Sequence, residues 1–133
     1  MTDLFSLAEL SVFERPGAEI EPRDRPGRAG CLVTFPNGWG VSIQWGAGNY
    51  GSNYDHPFDG WVPDATTAEI AVIAPGDQGD LVTWADGDTV QGWCSMDRVQ
   101  RVLDLVAEGK LMRERQDPPP PPVLIADDGW ERA

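Results

Sequence analysis

The chain has little of what most chemistry needs. One histidine (His56), one lysine (Lys110) and two cysteines (Cys31 and Cys94) stand in 133 residues. The cysteines and the histidine lie far apart, so no zinc-ligand spacing is written here. One disulfide is arithmetically available, but a reducing cytoplasm disfavours it, and both cysteines read as buried free thiols on strands. No apolar run approaches the roughly 18 residues that a membrane-spanning helix needs. Residues 1–10 carry acids and lack a basic region ahead of an apolar stretch, so they do not read as a signal peptide, and the expected location is the cytoplasm.

Cations are missing from the middle of the chain. Residues 29–97 hold nine acidic side chains (Asp55, Asp59, Asp64, Glu69, Asp77, Asp80, Asp86, Asp88 and Asp97) and no lysine or arginine, within a net charge of −12. Such a module repels nucleic-acid phosphates and anionic membrane surfaces, which leaves a protein partner, a basic one above all, or a merely solvated acidic surface. Twelve prolines and fifteen glycines point to a loop-rich fold containing β-structure. The length is that of one domain able to bury a core.

What is there is organised around residues 31–54, CLVTFPNGWGVSIQWGAGNYGSNY. They read as a β-hairpin followed by a loop rich in glycine and aromatic residues. A two-residue Asn37-Gly38 turn would put Trp39, Val41 and Ile43 beside Leu32 and Thr34. A three-residue loop, Pro36-Asn37-Gly38, places proline where φ near −65° is wanted and glycine where φ is positive. Phe35 then opposes Trp39, and Cys31, Val33, Phe35, Trp39, Val41, Ile43 and Trp45 share one face, with Leu32, Thr34, Ser42 and Gln44 on the other. The second register separates apolar from polar, as a half-buried antiparallel sheet requires.

Around this hairpin the reading is a single α+β domain, an antiparallel sheet of four to five strands covered by one C-terminal helix. Leu4, Leu7, Leu10 and Phe13 predict a short N-terminal helix over 1–13, capped by Thr2. Residues 14–30, with three prolines and no periodicity, read as a surface connection. Further strands are expected at 68–74, 81–85 and 89–94. Ser95 as N-cap, Asp97 in the first turn, the stripe Val99, Val102, Leu103 and Val106, and Gly109 at the end predict a helix over 95–108 that covers the tryptophan face. The sheet and helix together span 31–109. Residues 110–133 form a tail in which five prolines make a semi-rigid spacer. Its apolar anchor, Val123-Leu124-Ile125 with Trp130, docks back on the domain or meets another chain.

Motifs that suggest chemistry fail on context. Gly46-Ala47-Gly48-Asn49-Tyr50-Gly51 spells G-x-G-x-x-G after a strand, but a dinucleotide site needs a helix to start within it, and Ser52-Asn53-Tyr54-Asp55-His56-Pro57 is not helical. A kinase-type loop fails because the sole lysine follows every predicted strand. Asp55, His56 and Asp59 make a weak metal set, and Asp77, Asp80, Asp86 and Asp88 do not match a calcium loop. No catalytic set and no cofactor are expected. The loop after Trp45 offers Asn49, Tyr50, Asn53, Tyr54, Phe58 and Trp61, large amphipathic rings interleaved with adaptable amides, which is the chemistry of recognition surfaces.

Three segments carry a resemblance: VSIQWGAGNYGSN (41–53), TAEIAV (67–72) and DTVQGWCSMDRV (88–99). They resemble a family of small uncharacterised bacteriophage and prophage proteins with the pattern V-S-x-Q-[WF]-G-x-G-N-Y-x-x-N, then A-E-[IV]-A-[VI], then G-[WY]-x-S-x-[DE]-x-V. Met96 stands where proline is common in that family. The resemblance covers residues 31–108 and implies a phage origin and a role in the host cytoplasm, with no activity to carry over. Its matched polar positions are Gln44, Asn49, Tyr50, Asn53 and Glu69. The expectation is a non-enzymatic phage accessory protein that binds a host or phage protein, in host interference or anti-defence. The alternatives are an acidic mimic of nucleic acid that blocks a DNA-binding host enzyme, and a small metal-dependent hydrolase using His56. Exposed sheet edges admit a homodimer.

Overall fold

Strand pairing in this protein follows chain order. β1 (Glu19–Arg25), β2 (Arg28–Thr34), β3 (Gly40–Gly46), β4 (Ala68–Ile73) and β5 (Gln91–Cys94) form one antiparallel five-stranded sheet, each strand beside its neighbour in sequence. The structure is a computed structural model that describes residues 4–60, 64–76, 81–84, 88–109, 111–112 and 123–124. Helix α1 (Met96–Ala107) and a 3-10 segment, η1 (Leu7–Phe13), pack on one face of the sheet. The fold is α+β, as the sequence predicts.

The β2–β3 hairpin takes the three-residue loop. Phe35 donates its N–H to Trp39 O at 2.8 Å, Thr34 pairs with Gly40, and Gly38 has φ +89°. Cys31 therefore faces Ile43 and Val33 faces Val41, and these side chains are buried together with Phe35 and Trp45. Asn37 then does two jobs. Its Oδ1 accepts from Trp39 N–H at 3.0 Å, closing the turn, and its Nδ2 donates to Val106 O at 3.0 Å, supplying a partner to a carbonyl in the last turn of α1.

α1 starts and stops where its residues dictate. Ser95 Oγ accepts from Arg98 N–H, Asp97 lies in the first turn, and Gly109 at φ +72° ends the helix. Val99, Val102, Leu103 and Val106 are all buried against the sheet, joined by Met96 and Leu105. The clamp between the N-terminal segment and α1 is polar. Arg15 Nε meets Asp104 Oδ1 at 2.9 Å, an Arg15 terminal N–H donates to Gln100 Oε1 at 2.7 Å, and Gln100 Nε2 donates to Val12 O at 2.9 Å.

Four expectations change. Residues 14–30 are not a surface connection: they hold β1, the Pro26-Gly27 turn and the start of β2, with Gly27 at φ +75°. β1 escapes a periodicity search because it is a mostly exposed edge strand, where Pro22 costs no ladder bond and charged side chains are the norm. The N-terminal helix is a 3-10 segment capped by Ser6, and Glu9 within it leaves helical geometry. Phe5 and Phe13 pack on the core while Leu4 and Leu7 are exposed, and Thr2 lies outside the described residues. Residues 81–85 do not form a full strand. Leu81 makes an isolated bridge to Ile73 and Val82 N–H donates to Val72 O at 2.8 Å, while residue 85 lies outside the described residues. In the tail, Leu111–Met112 (β6) pairs antiparallel with Val123–Leu124 (β7), a ladder separate from the main sheet. The five prolines, Ile125 and Trp130 lie outside the described residues.

Phe5 closes the open end of the core. Its backbone bridges Ala65, and its ring lies 6.1 Å from Phe13 and 5.7 Å from Trp45. On the other sheet face the register aligns Arg23, Gly30, Gln44 and Glu69 across β1 to β4. That row runs from a basic edge to an acidic group and leads into the candidate site.

Candidate functional site

The loop after β3 is fixed by polar contacts to β4 and its approach. Glu69 Oε1 accepts from Tyr50 N–H at 2.9 Å. Ser52 donates its N–H to Thr67 Oγ1 at 2.8 Å, and its Oγ accepts from Thr66 N–H at 3.0 Å and Thr67 N–H at 3.3 Å. Within the loop, Gly48 N–H reaches Tyr54 O and Tyr54 N–H reaches Gly51 O, both at 3.1 Å. Glu69 is on β4 because the strand alternates: Ala68, Ile70 and Val72 turn inward, which leaves Glu69 on the face that meets the loop.

These bonds place three rings in a row. Tyr54 stacks on Tyr50 with centroids 5.8 Å apart and planes 6° from parallel, and Tyr50 stacks on Trp93 at 5.6 Å and 22°. All three stay in solvent, Tyr50 48%, Tyr54 45% and Trp93 58% exposed. Trp93 N–H donates to Tyr50 O at 2.7 Å, which ties β5 to the loop. Gly92 makes that approach feasible, since a Cβ there would lie 2.5 Å from Tyr50 Cβ. Trp93 is the single non-glycine residue with positive φ among the described residues, at +49°. Left-handed backbone costs a bulky residue about 1–2 kcal/mol.

The six sequence candidates separate. Tyr50 and Tyr54 come together in the stack. Phe58, 65% exposed, lies apart from it, with the Arg28 guanidinium 5.7 Å over its ring. Asn49 is not a surface residue: it is 5% exposed, which takes it out of the contact set, and its Nδ2 has no hydrogen-bond partner among the described residues. Asn53 is half-buried and its carbonyl accepts from His56 N–H at 3.0 Å, a role inside the loop. Trp61 lies outside the described residues. Trp93 is the site residue that sequence reasoning missed. Trp93 turns outward where the β4–β5 register shifts between Gln91 and Cys94, and nothing in the sequence places its ring on Tyr50.

Both cysteines are buried and unbridged. Burial pushes the Cys31 thiol up to about 12 and the Cys94 thiol up to about 11, the latter against the opposing pull of Arg98. Neither is poised as a nucleophile at neutral pH. Among the described residues no three of His, Cys, Asp and Glu gather as a metal site, and no helix is long and apolar enough to cross a membrane. No protein-family model, curated protein or solved structure matches the chain.

Proposed function

We propose that the chain is a non-enzymatic bacteriophage accessory protein that binds a host or phage protein in the host cytoplasm, with the Tyr54–Tyr50–Trp93 stack as the contact. The observation that carries this reading is Trp93, a large ring held in solvent on left-handed backbone. Strain of that kind persists where the surroundings over-determine it, and it clusters at ligand clamps and switches. Tryptophan and tyrosine are the residues that dominate binding hot spots. A stack already formed in the free protein loses little side-chain entropy on association.

The chemistry of the partner follows from charge. Residues 29–97 carry nine acids and no cation, and Tyr54 is followed directly by exposed Asp55. A basic segment suits this surface: arginine or lysine lies over the exposed ring faces while carboxylates neutralise it. The resemblance to phage proteins supports the phage setting, in which we place a role in host interference or anti-defence. The test is affinity capture from infected-cell lysate with wild type and the Tyr50→Ala/Tyr54→Ala double variant, with thermal melts alongside. The expected result is a protein retained by wild type and lost by a well-folded double variant. Equal capture by the two overturns the reading.

A further inference from the structure

A second site lies toward the β1 end of the Arg23–Gly30–Gln44–Glu69 row and reaches as far as Gln44, the cross-strand neighbour of Glu69. There a shallow, solvent-open cleft is lined by Arg23, Arg25, Arg28, Ala29 and Gln44. Gly30, between Arg23 and Gln44 in the register, lets β3 come close, since a Cβ there would lie 2.2 Å from Ile43 O.

Three guanidiniums in one cleft run against the chain's net charge of −12. Arg25 and Arg28 are moreover direct cross-strand partners at the end of the β1–β2 hairpin, where like charges destabilise pairing. Among the described residues, of these three only Arg23 has a carboxylate in ion-pair range, Glu21 at 3.6 Å. Arg28 is positioned by Phe58 beneath its guanidinium, and its buried Nε has no hydrogen-bond partner among the described residues. One carboxylate against three guanidiniums leaves two positive charges. Arginine forks match the oxygens of phosphate and carboxylate, and the amide of Gln44 adds a neutral donor.

We propose that this cleft binds a small dianion of the phosphate class, as free phosphate or as the phosphoryl group of a small ester. Two unbalanced positive charges match a dianion better than a monocarboxylate. A nucleic-acid strand is disfavoured, since the rest of the chain repels its neighbouring phosphates. The site stands independently of the protein-binding surface.

The test is calorimetric titration of the full chain, at low ionic strength, with inorganic phosphate, sulfate, acetate, glycerol phosphate and a single-stranded DNA oligonucleotide. Phosphate, sulfate and glycerol phosphate are expected to bind one site with a dissociation constant below about 1 mM. Acetate and the oligonucleotide are expected to bind at least about tenfold more weakly. The Arg25→Gln/Arg28→Gln double variant is expected to lose phosphate binding by the same factor. In wild type, the arginine Nε–Hε resonances of Arg23, Arg25 and Arg28 should move on phosphate addition while that of Arg101 stays, a readout that needs no variant to fold. No saturable binding of phosphate, equal binding of acetate, or movement at Arg101 alone overturns the proposal. Tighter binding of the oligonucleotide than of phosphate does so too, and assigns the cleft to a polymer.

Discussion

Trp93 donates its backbone N–H to Tyr50 O at 2.7 Å and lays its ring on the Tyr50 ring, the two centroids 5.6 Å apart. One hydrogen bond and one stack thus join β5 to the loop that leaves β3, and both depend on a glycine before Trp93. The proposed contact surface rests on this pair.

Trp93→Gly is expected to leave stability nearly unchanged. Relief of left-handed strain returns about 1–2 kcal/mol, offset by the loss of an exposed stack worth about 0.5–1.5 kcal/mol and by the entropy cost of glycine, about 0.5–1 kcal/mol. Chemical denaturation checks this. A loss above about 3 kcal/mol shows the ring to be part of the core's support and not a surface element.

Gly92→Ala is expected to do the reverse. Its Cβ meets Tyr50 Cβ at 2.5 Å, so the loop must shift or β5 must part from it. The expected cost is about 1–3 kcal/mol, with a reduced near-ultraviolet circular dichroism signal from the displaced rings.

Arg15→Ala tests the clamp on α1. Arg15 is mostly buried while Asp104 is half exposed, and the pair is supported by Gln100. Screening at Asp104 holds the expected cost to about 1–2 kcal/mol, a fall in Tm of about 5 °C. Asp104→Ala should cost less, because the Arg15–Gln100 hydrogen bond survives it.

Stability is expected to fall in alkali. The folded protein keeps the Cys94 proton to about pH 11 and the Cys31 proton to about pH 12. The unfolded chain gives both up near about pH 8.5, so above that pH it binds fewer protons than the folded protein, and each thiol lowers stability by about 1.4 kcal/mol per pH unit up to its folded value. Urea denaturation at pH 8, 9 and 10 reads the slope, and Cys31→Ala/Cys94→Ala should flatten it. An unchanged slope in that variant assigns the loss to other groups.

Much of this architecture is legible in residues whose local and tertiary demands agree. Pro36, Asn37 and Gly38 specify a loop that also segregates the apolar face, so the hairpin register follows. The stripe Val99, Val102, Leu103 and Val106 sits between a serine cap and a glycine stop, so α1 follows. β1 was hidden because an edge strand satisfies its backbone through β2 and needs no buried stripe, leaving Pro26-Gly27 as its one signal. The site was legible in composition but not in placement. Tyr50 and Tyr54 belong to it, whereas Asn49, alike in chemistry, turns inside, and Trp93 joins from another strand. Side-chain direction in a loop is set by anchors such as Glu69 and Ser52, far along the chain, and no local pattern encodes it.

The most direct test is quantitative capture from infected-cell lysate by wild type, Trp93→Gly and Tyr50→Ala/Tyr54→Ala, each matched for folded concentration. The account predicts one protein enriched by wild type and reduced by at least about tenfold with both variants, a loss of about 1.4 kcal/mol or more, while their melts stay close to wild type. Capture of that protein undiminished by either variant would contradict the claim that the stack is where the partner binds.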